Sequence, residues 1–328
     1  MRSWIPRVVP ALLALAGIVS VGAGSTRAAE TDFTTWLNGL RTEALGRGIS
    51  QNTLDQSFAN VAPIPRVLEL DRAQPEFTLT YAQYFARVVN DQRVVRGRDL
   101  LKTHKSLLAE IGQKYGVQPR FIVALWGIET DFGRITGGFN VIPALATLAY
   151  DGRRSNFFRG ELFAALAIVE KGHIAARDMR GSWAGAMGQP QFMPSTFLGF
   201  AVDYNGDGRA DIWTTPVDVF ASAANYLAKS GWRDDLTWGR AVQVPATVDR
   251  ASYGLGVSKP LAEWQAIGVS RREGGPLPVR PINASLVEAE ANGPAFLVYD
   301  NYRVIMKWNR STFFALSAGQ LADRIGGE

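Results

Sequence analysis

Apolar residues recur at spacings of three and four along much of the chain, which predicts amphipathic helices. In the first such stretch they are Phe33, Trp36, Leu37, Leu40 and Ala44. The same spacing continues to about residue 108 and returns between residues 119 and 232, where two glycine-rich stretches interrupt it. We therefore expect a mainly helical protein.

The pattern changes beyond residue 243, where prolines divide the chain into short segments. Alternating apolar positions at 296–299 and 302–306 predict two strands of a small sheet. Ser311 then suits the N-cap of a final helix. We accordingly divide the chain into four segments: residues 1–29, 30–115, 116–232 and 233–328.

The amino terminus has the layout of a secretory signal peptide. Arg2 and Arg7 precede an apolar run from Val8 to Ala23, and small residues continue to Ala29. A retained membrane anchor is the weaker alternative, since the run of about 16 residues is shorter than the ~20 that a span requires. We predict that residues 1–29 are removed and that the protein is periplasmic, soluble and without membrane insertion.

Composition then excludes several kinds of chemistry. The 328 residues include no cysteine and two histidines, so a thiol nucleophile, a disulfide scaffold, cysteine-ligated zinc and a multi-histidine metal centre are ruled out. The net charge of the whole chain is +5, but three of its arginines lie in the predicted signal peptide, which contains no acidic residue. Because the remaining basic residues are dispersed, we expect no nucleic-acid partner.

Glu129 is the strongest catalytic candidate. The segment 119–133 predicts one helix, with Pro119 in its first turn and Gly133 at its stop. Trp126 and Leu125 lie three and four positions before Glu129, so its carboxyl emerges from an apolar face. Burial would raise its pKa and suit it to general-acid catalysis. The alternative is a structural glutamate paired with Arg153 or Arg154, while Asp131 is expected to orient the following loop.

A glycine-rich loop, residues 181–195, combines amide and aromatic side chains with almost no charge. Ser182 and Gln191 could form hydrogen bonds with hydroxyl or acetamido groups, while Trp183 and Phe192 offer flat apolar surface. The same stretch could also be a tightly packed turn. Together with a buried acid, it indicates a cleft for a neutral glycan.

The chain contains three ordered motifs, Gly127-Ile-Glu-Thr-Asp-Phe-Gly133, Ala184-Gly-Ala-Met-Gly-Gln-Pro-Gln-Phe-Met-Pro-Ser195, and Asp207-Gly-Arg-Ala-Asp-Ile-Trp213 followed by Ala224-Asn-Tyr-Leu227. Together these motifs resemble those of the lytic murein transglycosylase B family. The likeness continues through Asn301-Tyr-Arg-Val-Ile and Trp308-Asn-Arg-Ser311. It implies a mainly α (α+β) fold, with a lysozyme-like helical core, an additional helical lobe and a small C-terminal β lobe.

The resemblance also implies roles for individual residues. Glu129 matches the family's single catalytic acid/base. The implied substrate-binding residues are Ser182, Gln191, Tyr226, Asn301, Tyr302, Arg153 and Arg154. Gln189-Pro190 departs from the Tyr-Gly of some relatives, which leaves the subsite there undefined.

The implied reaction is non-hydrolytic cleavage of the β-1,4 bond between N-acetylmuramic acid and N-acetylglucosamine, which leaves a 1,6-anhydromuramic end. Most glycosidases use two carboxylates, and one suffices here if the muramyl C6 hydroxyl attacks in place of water. The alternatives are a lysozyme-type hydrolase and a non-catalytic peptidoglycan-binding scaffold. We expect a monomer with peptidoglycan glycan strands as its partner.

Residues 203–214 have the spacing of an EF-hand calcium loop. The predicted oxygen ligands are Asp203, Asn205, Asp207, the carbonyl of Arg209, and Asp218. Position twelve is Thr214 instead of the usual glutamate, so Asp218 would have to substitute. The alternative is an Asp/Gly turn without metal. We expect a structural calcium ion and no cofactor for catalysis.

Overall fold

The computed structural model describes residues 32–73 and 79–327. These residues form many helices, a two-stranded sheet and a five-stranded sheet, which confirms the predicted mainly helical fold with a small β lobe. The predicted signal peptide, residues 1–29, lies outside the described residues. None of the helices within the described ranges is long and apolar enough to cross a membrane.

The helices follow one another along the chain with short connections. The first seven are α1 (Phe33–Gly46), α2 (Gln51–Ser57), α3 (Pro65–Ala73), α4 (Tyr81–Val88), α5 (Asp91–Thr103), α6 (Lys105–Tyr115) and α7 (Pro119–Thr130). The next seven are α8 (Val141–Tyr150), α9 (Ser155–Glu170), α10 (Pro194–Phe200), α11 (Pro216–Lys229), α12 (Leu261–Ala266), α13 (Asp300–Trp308) and α14 (Thr312–Gly326). Ser311 caps α14 as predicted, because its side chain accepts a hydrogen bond from the Phe314 N–H.

The described residues also contain seven short strands. They are β1 (Phe139–Asn140), β2 (Arg180–Gly181), β3 (Gly239–Gln243), β4 (Lys259–Pro260), β5 (Ser270–Arg271), β6 (Asn283–Glu288) and β7 (Ala295–Val298). β1 pairs with β2, and the other five form an antiparallel sheet in the order β4-β6-β7-β3-β5. In its centre Leu286 is paired with Leu297, and Ala241 with Phe296.

One of the two predicted C-terminal strands is wrong. β7 confirms the strand expected at 296–299, but residues 302–306 belong to helix α13. Tyr302 and Ile305 are both buried, and their separation of three residues suits a helix packed on α14. A short run that alternates over five residues fits either element, so packing decides between them.

The core consists of three apolar clusters, which do not follow the predicted segment boundaries. The first joins α4–α7 to α11, α13 and α14. The second joins α1–α3 to α8–α10 and the glycine-rich loop, and the third lies between the sheet and α12. The boundaries at 115/116 and 232/233 therefore cut through the first cluster, because helices distant in sequence, such as α7 and α14, pack together.

Candidate active site

Helix α7 begins as predicted and ends earlier than predicted. Pro119 occupies the first turn, but the last helical residue is Thr130 instead of a residue next to Gly133. Asp131, Phe132 and Gly133 follow with left-handed φ angles of 51°, 60° and 79°. Two consecutive non-glycine residues in this conformation are strained, and such strain persists only where surrounding contacts hold it.

Those contacts come from α5 and from the end of α7. The Asp131 carboxylate pairs with Arg93 at 3.5 Å and also with Arg134. These cations hold the pKa of Asp131 below its usual range, against the opposing effect of burial. Phe132 is buried, and its ring packs edge-on against Trp126 at 5.5 Å. The chain thus turns sharply one residue after Thr130 and leaves Glu129 in the last turn of the helix.

The Glu129 side chain is partly exposed, and its carboxyl has few partners. Trp308, at the end of α13, donates a hydrogen bond from Nε1 to Oε1 at 2.8 Å. Within the described residues no lysine or arginine pairs with this carboxyl. Burial raises its pKa from 4.5 to about 7, although the Trp308 hydrogen bond acts in the opposite direction. Glu129 can therefore hold a proton near neutral pH and release it readily.

Arg153 and Arg154 do not pair with Glu129, so that alternative is wrong. Both guanidinium groups bind the buried carboxylate of Asp71, in α3, with Arg153 at 2.8 Å. They thereby join α3 to the turn that precedes α9. Their side chains remain about half exposed, at 54% and 41% respectively. Contact with a substrate stays a prediction for this pair.

The glycine-rich loop folds back on itself, with Met187 bridged to both Gly181 and Phe192. The Ser182 hydroxyl oxygen accepts a hydrogen bond from the Ala186 N–H at 3.1 Å. Gln191 has a φ of 53° and donates from Nε2 to the carbonyls of Thr136 and Gly188. Both side chains are partly exposed, and among the described residues the Gln191 side-chain carbonyl and the Ser182 O–H have no hydrogen-bond partner; their contact with a substrate stays a prediction.

Aromatic rings connect this loop to Glu129. The ring of Trp308 lies 5.3 Å from that of Phe192 and 4.9 Å from that of Tyr226. Tyr226, in α11, donates a hydrogen bond to the Lys307 carbonyl at 2.7 Å. Burial raises the pKa of Tyr226 to about 12, so the hydroxyl stays protonated. Glu129, the predicted loop and Tyr226 are thus brought together around one residue, Trp308.

The predicted glycan contacts of Asn301 and Tyr302 are wrong, because both residues are completely buried. The Asn301 amide donates to the carbonyls of Arg233 and Leu236 and accepts from the Arg233 N–H. It therefore fixes the connection after α11 to the start of α13. Trp308, at the other end of α13, is the residue that the sequence analysis missed. Its presence in the Trp308-Asn-Arg-Ser311 motif was the one available signal.

The predicted calcium loop is ordered by its own backbone. Asp203 accepts hydrogen bonds from the N–H groups of Gly206 and Gly208, each at 2.8 Å. Asp218 is fully buried, and its carboxylate accepts from Tyr204 N–H and Asp211 N–H at 2.8 and 2.9 Å. Burial raises the pKa of Asp218.

The donor set of this loop has the right chemistry for calcium. Asp203, Asn205, Asp207 and Asp218 carry oxygen donors, and position seven would contribute the Arg209 carbonyl. Among residues 32–73 and 79–327, however, no group of three or more His, Cys, Asp or Glu side chains is placed to hold a metal ion. The carboxylates are occupied by backbone amides instead of being gathered around one point. Calcium binding therefore stays a prediction, and no catalytic step depends on it.

Comparison with known proteins places this site in a family. Residues 32–323 match the family described as the transglycosylase SLT domain. The chain is 30% identical over 253 residues to the membrane-bound lytic murein transglycosylase B of Escherichia coli K12, over 75% of this chain and 67% of that protein. The chain belongs to the lytic murein transglycosylase B family, whose members are enzymes of the lyase class.

Two solved structures extend the comparison. SltB3 from Pseudomonas aeruginosa, in complex with NAG-NAM-pentapeptide, is similar with a TM-score of 0.88 and 46% identity, over 91% of this chain and 80% of that one. Slt35 from Escherichia coli, in complex with calcium, is similar with a TM-score of 0.75 and 27% identity, over 92% of this chain and 95% of that one. The family membership confirms the resemblance found in the sequence.

Proposed function

We propose that the protein cleaves the β-1,4 bond between N-acetylmuramic acid and N-acetylglucosamine in peptidoglycan, with Glu129 as acid and then as base. The observation that carries this proposal is the partly exposed carboxyl of Glu129, which has no lysine or arginine partner among the described residues and a pKa raised to about 7, beside a loop and an aromatic wall suited to sugars. The peptidoglycan fragment bound in SltB3 supports the choice of substrate.

In the first step, protonated Glu129 gives its proton to the glycosidic oxygen as the bond to the muramyl anomeric carbon breaks. The N-acetylglucosamine hydroxyl leaves, and positive charge develops at the anomeric carbon. The 2-acetamido group can stabilise that charge, and the free Gln191 carbonyl oxygen is available to orient the acetamido N–H.

In the second step, the Glu129 carboxylate removes the proton of the muramyl C6 hydroxyl, whose oxygen bonds to the anomeric carbon. The product carries a 1,6-anhydro ring, and Glu129 is again protonated. No water is consumed, so no second carboxylate is needed to activate one. The contacts of Glu129 among the described residues support this, because its carboxyl is bonded to Trp308, and the rings packed on Trp308 are those of Phe192 and Tyr226, none of which carries a carboxylate.

The competing function is hydrolysis of the same bond, which normally requires a second carboxylate as nucleophile or base. Digestion of purified peptidoglycan in heavy-oxygen water, followed by mass spectrometry, separates the two reactions. We expect anhydro ends that contain no label. Reducing ends that carry heavy oxygen would identify a hydrolase and overturn the proposal. A binding scaffold would release no fragments at all.

We also propose that the protein acts in the periplasm as a monomer, with glycan strands as its partner. The predicted signal peptide and the peptidoglycan-directed relatives support this location. Fractionation of cells that express the full chain tests it. We expect a processed protein in the periplasmic fraction, and an unprocessed protein that remains with the membranes would contradict the proposal.

A structural calcium ion in the loop 203–214 is a separate proposal, supported by the ligand spacing and by the calcium in Slt35. Binding would require Asp203, Asp207 and Asp218 to exchange some backbone hydrogen bonds for the ion. We expect calcium to raise the melting temperature and a chelator to lower it, with Asp203→Asn abolishing the difference. An identical melting temperature in both solutions would contradict calcium binding.

A further inference from the structure

Gln189 is a buried amide, and each of its four polar groups, two in the side chain and two in the backbone, has a hydrogen-bond partner. Only 8% of the residue is exposed. Its Oε1 accepts from Trp126 Nε1 at 2.7 Å, and its Nε2 donates to the Trp213 carbonyl at 2.8 Å. Its backbone N–H donates to the Ile212 carbonyl at 2.8 Å, and its backbone carbonyl accepts from Thr130 Oγ1 at 2.9 Å. A buried amide with so complete a set of partners fixes the elements that it joins.

The partners of Gln189 lie on both sides of Glu129. Trp126 precedes Glu129 by three residues and shares its face of α7, while Thr130 follows it directly. Thr130 also accepts, at its hydroxyl oxygen, a hydrogen bond from the Gly133 N–H at 3.1 Å. Gly133 packs so closely on the amide that a side chain there would begin 2.4 Å from Gln189 Oε1. Gln189 therefore holds the last turn of α7 and the left-handed reversal that ends it.

The other side of Gln189 is tied to a rigid segment. Trp213 and Ile212 supply the backbone carbonyls, and the Asp211 carboxylate in turn accepts from the N–H groups of Trp213 and Thr214 at 2.8 and 2.9 Å. This position requires an acceptor for the Trp126 indole N–H and a donor for the Trp213 carbonyl, and an amide side chain supplies both. An aliphatic side chain offers neither group, and a carboxylate would face the carbonyl of Trp213.

We propose that Gln189 is a positioning residue for the reaction, which fixes the Glu129 carboxyl relative to Trp308 and to the bound sugar. The inference rests on the proposed role of Glu129. The bonds of Gln189 to Trp126 and Thr130 add to the contacts of Asp131 and Phe132 that hold the strained turn after α7. Without the amide, the last turn can relax, more water reaches Glu129, and the carboxyl loses its alignment.

The same helix offers a matched control at its opposite end. Gln118, just before α7, accepts from Trp232 Nε1 at 2.8 Å and donates to the carbonyls of Asp234 and Leu236. Gln118 and Gln189 thus each join an indole N–H to backbone carbonyls, one at each end of α7. Only Gln189 borders Glu129. Replacing each amide in turn therefore distinguishes an effect on the stability of α7 from an effect on the position of the Glu129 carboxyl.

The experiment compares Gln189→Met with Gln118→Met, since methionine keeps the volume and removes the hydrogen bonds. Melting temperature, kcat, KM and the pH dependence of kcat are measured for each variant well below its melting temperature. We expect both variants to lose thermal stability. Gln189→Met should also lose kcat by about 100-fold with little change in KM, as expected for a misplaced reacting group.

The pH dependence of kcat would not change if Gln189 contributed only to the stability of the fold. In Gln189→Met we expect the fall of kcat at alkaline pH to occur at lower pH, because greater hydration favours the ionised form of Glu129 over the protonated form. The Gln118→Met profile should match that of the wild type. The inference is overturned if Gln189→Met keeps the wild-type kcat and profile, or if both variants change alike. Full activity of Glu129→Gln would instead overturn the proposed function itself.

Discussion

Glu129 and Glu161 are both enclosed by the helical part of the molecule, and burial raises the pKa of both. Glu161, in α9, is 5% exposed and accepts two hydrogen bonds from Ser195, from its N–H at 2.9 Å and its hydroxyl at 2.7 Å. Glu129 is partly exposed and accepts one bond, from Trp308. Burial alone therefore does not mark a catalytic acid. Glu161 is satisfied within the protein, whereas Glu129 keeps capacity for a substrate.

The largest expected effect separates the two glutamates by activity. Glu129→Gln should lower the rate of peptidoglycan cleavage by about a thousandfold, because the amide can neither give nor take the proton. Release of soluble fragments, quantified by chromatography, measures the rate. Glu161→Gln is the matched control, and at a temperature where both variants are folded it should retain activity. Equal losses of cleavage rate in the two variants would contradict a catalytic role that belongs to Glu129 and not to Glu161.

The second prediction concerns the stability cost of the raised pKa. The folded protein keeps the Glu129 proton between about pH 4.5 and about pH 7, where the unfolded chain releases it. The stabilisation from this proton is complete below pH 4.5 and is lost as the pH rises through 7. Relative to the wild type, Glu129→Gln should therefore gain ~3 kcal/mol in the free energy of unfolding between pH 4 and pH 8. Urea denaturation across that range measures the difference, and a difference independent of pH would contradict it.

The third prediction concerns the structural role of Glu161. Glutamine at this position can accept one of the two Ser195 hydrogen bonds, while its amide nitrogen faces the other donor. We expect Glu161→Gln to lose about 1–3 kcal/mol in the free energy of unfolding. Thermal and urea unfolding near neutral pH measure the loss. A variant as stable as the wild type would show that these bonds do not secure the start of α10.

The smallest expected effect tests the hydrogen bond from Trp308 to Glu129, the proposed catalytic acid. Trp308→Phe keeps an aromatic ring and removes the N–H that lowers the pKa of Glu129. The pKa should then rise further, and the alkaline limb of kcat/KM should move up by about one pH unit. Trp183→Phe, the same change at a tryptophan of the glycine-rich loop, serves as the control. A shift of the limb to lower pH would show that the indole does not act through this bond.

The sequence predicted those features that depend on neighbours along the chain. Glu129 was found because Leu125 and Trp126 lie within one turn, and Ser311 because a cap needs only the next three residues. Trp308 lies 179 residues beyond Glu129, and no local pattern reveals that its indole reaches the carboxyl. The contact depends on the packing of α13 on α14 and of α14 on α7, which only the folded chain defines.

Two errors have a similar physical origin. The motif that contains Asn301 and Tyr302 was assigned to the glycan because a motif gives no information on which face of a helix is buried. The helix stop was placed at Gly133 because glycine is the usual left-handed residue. Instead, Asp131 and Phe132 adopt that conformation, held by Arg93 and Trp126 from outside the motif.

Direct titration of Glu129 tests most sharply whether its carboxyl is protonated near neutral pH. Carbon NMR of protein labelled at the glutamate carboxyl groups follows each pKa, and comparison with Glu129→Gln assigns the resonance. We expect the resonance that is absent from the variant to titrate near pH 7 in the ligand-free protein. Titration near the ordinary glutamate value of 4.5 would contradict a protonated acid at neutral pH, and with it the first step of the proposed reaction.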